Sequence, residues 1–128
     1  MKLKDIIKTE EEILDDGHVI KNNLIKNCDI VIIGHFGNMI SLDIMCSNVS
    51  LFSGYNNTQN IGWQIKALIE LFELTEEDGY RLFTQLKDYP CRLIFEDDGG
   101  WGDKCIGFGH YMKDKFVYKK DFAKITEA

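Results

Sequence analysis

Proline and arginine are scarce in this chain. Pro90 is the one proline in 128 residues, and Arg81 and Arg92 are the two arginines. Bidentate recognition of a phosphate or carboxylate therefore falls to one of those two, or else to lysines and backbone N–H groups. The cysteines, Cys28, Cys46, Cys91 and Cys105, lie far apart with no Cys-x-x-Cys. That spacing argues against zinc and for buried thiols in a reducing compartment. No apolar run approaches the ~20 residues of a membrane span. The start, MKLKDIIKTEEE, is too acidic for a secretory signal, so the expected location is cytoplasmic. Positive charge is also short. A net charge of −6 argues against non-specific binding to DNA or RNA, which needs a positive field. A small anionic ligand remains open, because one pocket needs only a few local donors.

Apolar residues are not lacking. Hydrophobic content of 45%, with 12% aromatic, supports a real core and makes long disorder unexpected. The length suits a single domain, 1–128. In residues 3–15, Ile6, Ile7, Ile13 and Leu14 fall at helical spacing. They predict an amphipathic N-terminal helix within residues 1–20, stopped at Asp16-Gly17, that packs on this domain or on another subunit. The period then changes. "LIKNCDIVII" and "MISLDIMC" read as strands, and "GHFGN" between them reads as a hairpin. A third strand is expected at 49–53. "IGWQIKALIELFEL" predicts a strongly apolar helix with Asn60 as its N-cap. A second helix follows from Thr75 and stops before Pro90. "CRLIFE", "KCIGFGHYM" and "KFVYK" close the chain as strands. The expected fold class is α+β: an antiparallel β-sheet with two central helices packed on one face, plus the N-terminal helix.

The segment "DDGGWGD" lacks the spacing of a phosphate-binding P-loop and sits between two strands rather than before a helix. Gly99, Gly100 and Gly102 suit a hairpin turn. Gly107 and Gly109 suit strand positions where backbone or a bulky ring comes close. Trp101 at the tip either folds over the turn or meets a ligand or partner. The histidines His18, His35 and His110 have no metal-ligand spacing, and no serine or cysteine has a motif for nucleophilic catalysis. No catalytic or metal-binding residue is expected. The acidic groups read as solvated turns and helix starts. The polar loop "SGYNNTQN", with Tyr55 and Asn56, leads into a helix N-terminus at Ile61-Gly62. Free N–H groups there favour an anion, and Tyr55 or Trp63 can stack a base. The competing reading is a loop that simply caps a helix with Trp63 in the core. Arg92, on a strand, is either an anion ligand or half of a surface ion pair.

Four segments in order, "LFSGYN" at 51–56, "IGWQIKALIELF" at 61–72, "LKDYPCRLIFE" at 86–96 and "IGFGHYMKDKF" at 106–116, resemble a set of small phage proteins. The likeness covers about residues 24–120. It resembles the first type of Thoeris anti-defence protein. That family consists of phage sponges that bind cyclic ADP-ribose isomers made by a host immune enzyme and do not cleave them. Its members are homo-oligomers with ligand pockets shared between protomers. The chain departs from the family pattern in its N-terminal helix, in a glycine missing from "FSGYN", and in Lys115-Phe116, where an aromatic is missing.

The resemblance implies a non-enzymatic binder of a cyclic nucleotide signal, acting in the host bacterial cytosol as a homo-oligomer with no cofactor. Adenine is expected on Tyr55, Trp63 or Trp101. The pyrophosphate is expected on the N–H groups near Ile61-Gly62 and on Arg92, and Asn56 is expected among the ligand-binding residues. The rival class is a protein-directed inhibitor of the anti-CRISPR kind, whose acidic surface blocks a basic groove. An enzyme acting on a nucleotide ranks last.

Overall fold

The computed structural model describes residues 1–33, 39–46, 49–51, 61–74, 86–96, 104–122 and 124–127; for strand residues 28–33, 39–43 and 50 it describes the backbone alone. Strands β1 (Val19–Ile33), β2 (Met39–Cys46), β3 (Val49–Ser50), β4 (Pro90–Phe95), β5 (Cys105–His110) and β6 (Phe116–Tyr118) form one antiparallel sheet in the order β3-β2-β1-β4-β5-β6. Four helices are described: α1 (Leu3–Ile6), α2 (Glu10–Asp15), α3 (Ile61–Phe72) and α4 (Lys119–Phe122). The α+β class and the antiparallel sheet agree with the sequence. Residues 75–85 of the expected second central helix lie outside the described residues, as does Asn60; its expected last turn is described and is not helical, with 86–88 forming a turn in which Asp88 has φ 60°.

The long strand β1 is the hinge of the sheet. Its first half, Val19 to Leu24, pairs with β4. Its second half pairs with β2, from Ile25↔Cys46 to Ile33↔Met39, with an irregularity between Ile25 and Asn27. The hairpin expected between β1 and β2 is there in its register, and its "GHFGN" connection lies outside the described residues.

Helix α3 covers one face. Gln64, Ala67, Leu68, Leu71 and Phe72 are buried at spacings of three and four, the period of a helix seated on a sheet. Phe72 stacks on Phe108 of β5 with centroids 6.1 Å apart, and Phe108 meets Phe122 of α4 at 5.5 Å. The helix ends with Glu73 in the left-handed region, φ 54°, and the Leu74 N–H donates back to the Ile69 carbonyl at 3.0 Å. This is the six-to-one bond of a Schellman stop. A smaller cluster on the opposite face gathers Ile13, Ile94, Phe116 and Tyr118.

The N-terminal segment differs from the single amphipathic helix expected. It breaks at Ile7–Thr9, where Lys8 pairs with Phe116 of β6 through backbone bonds of 2.7 and 2.9 Å. Thr9 then restarts the chain as an N-cap. Its hydroxyl accepts from the Glu12 N–H, and the Glu12 carboxylate accepts from the Thr9 N–H, a complete capping box. The signal T-x-x-E was present in the sequence. A second seam ties the chain ends, with Leu3 N–H donating to the Glu127 carbonyl at 3.0 Å. Ile6 and Ile13 are fully buried by the chain itself. Leu14 of the same stripe is left 53% exposed.

The glycines of β5 are where the sequence reading put close approaches. A Cβ at Gly109 would lie 2.4 Å from the Phe116 ring, and one at Gly107 would lie 2.3 Å from the Val117 carbonyl oxygen. Neither position has room for a side chain.

Candidate functional site

Antiparallel pairing gives the β4–β5–β6 meander two distinct ends. At one end β4 starts, β5 stops and β6 starts, and Cys91 pairs with His110. A knot of polar side chains builds this end. Arg92 Nε donates to the His110 carbonyl and its Nη2 to the Lys113 carbonyl, both at 2.8 Å. Its guanidinium lies 4.4 Å from the Phe116 ring centroid and 3.8 Å from the Glu10 carboxylate. His110 Nδ1 accepts from the Met112 and Lys113 N–H groups, each at 3.0 Å. Nδ1 is therefore unprotonated, and burial holds the imidazole below its ordinary pKa. Its Nε2 faces Glu73 at 3.8 Å. Lys115 reaches the Glu70 carbonyl and the Glu73 carboxylate, docking the turn on the C-terminal end of α3.

This geometry sorts the residues singled out in the sequence. Arg92 has carbonyl partners within the fold and a side chain only 14% exposed. Gly62 is exposed at the start of α3, about 16 Å of helix from Glu73 at the other end. One chain thus places Arg92 and Gly62 at opposite ends of α3. Trp63 is half-buried against the core, with Lys66 Nζ 5.0 Å from its ring centroid. Tyr55, Asn56 and Trp101 lie outside the described residues.

The other end of the meander holds a cleft of about 250 Å³. The registers explain its lining. Val19 pairs with Phe95, and Phe95 with Cys105, so β1 starts where β4 stops and β5 starts. Gly107 pairs with Tyr118, which brings the end of β6 alongside. Residues just beyond these strand ends point into one space: His18 before β1, Glu96 after β4, Lys104 before β5, and Lys119 and Lys120 after β6. Cys105, Ile106 and Tyr118 complete the wall. The Glu96 N–H donates to the Lys104 carbonyl at 3.2 Å, continuing the β4–β5 pairing past the strand ends.

Three lysines and one glutamate line this cleft, in a chain whose net charge is −6. Lys104 and Lys120 are exposed, whereas Lys119 is only 7% exposed and burial lowers its pKa. The Tyr118 hydroxyl donates to Asp16, and its ring meets His18 edge-on at 5.7 Å. Burial first, and then that bond to Asp16, raise the phenol's pKa. His18 Nδ1 is buried here without a hydrogen-bond partner among the described residues. Cys105 is 7% exposed and donates to the Gly107 carbonyl; burial raises its thiol pKa. Behind it, Cys46 and Cys91 are fully buried, with sulfurs 3.4 Å apart. Their hydrogen bond lowers the pKa of Cys46 and raises that of Cys91.

Chemically, the cleft suits a small anion, with cations at its mouth and an aromatic pair in its wall. No group of three or more His, Cys, Asp or Glu among the described residues is arranged to hold a metal ion. Sequence reasoning missed Glu96, Lys104, Lys119 and Lys120, and singled out His18 only as lacking a metal spacing. These residues share no motif, and strand register alone unites them. The available signal was the charge flanking three consecutive strands of a meander. No protein-family model, no curated protein and no solved structure matches this chain.

Proposed function

We propose that this chain binds a small phosphate-bearing nucleotide and holds it intact, as a phage anti-defence protein that sequesters a cyclic nucleotide immune signal of the cyclic ADP-ribose class. The observation that carries the reading is the lysine-lined cleft in an acidic chain. Cations confined in a concave site attract an anion that the surface as a whole repels. The four-segment resemblance supplies the ligand class. It does so through its order, because the structure gives Arg92 and His110 of those segments scaffold partners. A homo-oligomer in the host cytosol belongs to the same reading.

The rival reading, a protein-directed inhibitor, draws on the exposed acidic run Glu10, Glu11, Glu12, Asp15 and Asp16 on and after α2. One experiment separates the two. The protein is incubated with cyclic nucleotides, freed of unbound ligand and heat-denatured, and the supernatant is analysed by chromatography and mass spectrometry. Recovery of intact nucleotide is expected. Altered nucleotide would make the chain an enzyme, and no retention would favour a protein partner.

A further inference from the structure

We infer that the cleft at the β1/β4/β5/β6 strand ends reads a nucleotide by polarity: Lys104 and Lys120 take its phosphate, and Glu96 takes its ribose hydroxyls. The inference rests on the nucleotide reading above and extends it to the site, the ligand's orientation and the residues that set specificity.

Lys104 and Lys120 are exposed at the mouth, at the start of β5 and just past the end of β6. Lys120 Nζ sits 5.4 Å from the Tyr118 ring centroid, which fixes its stem against the cleft wall. A lysine is a compact point charge on a flexible stem, suited to a phosphate whose exact angle is not prescribed. Lys119 on the floor adds positive potential from a site with little water. Glu96 then needs a role. A lone carboxylate beside a phosphate repels it, so the phosphate belongs on the lysine side and a hydrogen-bond donor belongs on the Glu96 side. In a nucleotide, the nearest donors to the phosphate are the ribose hydroxyls, and a carboxylate accepts from two neighbouring hydroxyls at once.

Size and a second observation agree. A cleft of about 250 Å³ lies just below the roughly 300–1,000 Å³ of drug-sized ligand pockets, which suits one nucleotide unit. His18 Nδ1 is buried and unpartnered among the described residues, in the wall of the same cleft. A buried polar atom without a partner is costly, and a turn of the imidazole toward a bound ligand gives it one.

The probes are adenosine monophosphate, its 2′-deoxy form and adenosine, each titrated calorimetrically into the full chain. The variants are Lys104→Glu, Lys120→Glu and Glu96→Gln, all at exposed positions, with circular dichroism melts to confirm folding. Adenosine monophosphate is expected to bind more tightly than adenosine. Each lysine reversal should weaken the monophosphate at least tenfold and leave adenosine nearly unchanged. Glu96→Gln should narrow the gap between ribose and deoxyribose forms. Equal binding of monophosphate and adenosine overturns the phosphate assignment. Monophosphate binding untouched by all three variants places the ligand elsewhere and sinks this inference alone. No binding of these probes, with a cyclic nucleotide still retained after heat release, also sinks this inference and spares the function. If neither is retained, both fail.

Discussion

Arg92 and His110 are joined by a 2.8 Å bond from the arginine Nε to the histidine carbonyl, across paired strands β4 and β5. The bond makes Arg92 the clamp of the β5–β6 turn, because Nη2 holds the Lys113 carbonyl of the same turn. Removing the guanidinium strands two carbonyls and uncovers the Phe116 ring. Arg92→Ala is expected to lower stability by about 1.5–3 kcal/mol, the range for bonds to a charged donor. Arg92→Lys should restore little, since one ammonium cannot serve both carbonyls in the same plane. Urea denaturation of the three proteins checks this; unchanged midpoints would return Arg92 to the list of free ligand donors.

The two glycines of β5 make a graded prediction. Gly109→Ala meets the Phe116 ring at 2.4 Å and the Lys115 carbonyl oxygen at 2.6 Å, whereas Gly107→Ala meets the Val117 carbonyl oxygen at 2.3 Å with the Tyr118 Cα behind it at 3.1 Å. Both should destabilise by at least the ~1–3 kcal/mol of overpacking, with Gly107→Ala the worse of the two. The melting temperatures of both variants decide the order.

His110 gives a pH dependence with a definite sign. Burial lowers its pKa in the folded state, Glu73 opposes this, and Lys115, Lys113 and Arg92 reinforce it. The unfolded chain therefore binds its proton at higher pH than the folded chain does. The neutral imidazole's contribution is fully present above the unfolded value of about 6.5 and is lost as pH falls toward the lower folded value. Stability measured from pH 7.5 to 5 should fall more steeply for the wild type than for His110→Asn, which keeps an acceptor near the Met112 and Lys113 N–H groups but does not titrate. Parallel curves would show that another group drives the acid loss.

Much of the fold is legible in the residues. Alternation in "MISLDIMC" and "CRLIFE" marks strands, and the spacing of Ala67, Leu68, Leu71 and Phe72 marks the helix face. Gly107 and Gly109 announce close contacts. What is not legible depends on partners distant in the chain. The helix break at Lys8 is made by Phe116, with which it exchanges backbone bonds across 108 positions. The cleft is made by strand register, which gathers residue 18 with residues 96, 104 and 118–120. Arg92 carries the converse lesson. A lone arginine on a strand reads equally as a ligand donor or as a structural clamp until its carbonyl partners are known.

The most direct test of the account is occupancy of the cleft itself, read at Cys105. This thiol lines the cleft and is 7% exposed, whereas Cys46 and Cys91 are fully buried. A small uncharged thiol reagent at alkaline pH, followed by peptide mass spectrometry, gives the modification rate at each cysteine. With a cyclic nucleotide added at concentrations where calorimetry shows saturation, the account predicts that the Cys105 rate falls in proportion to the bound fraction. A Cys105 rate unchanged at saturation would contradict it, because the nucleotide would then be bound somewhere other than the lysine-lined cleft.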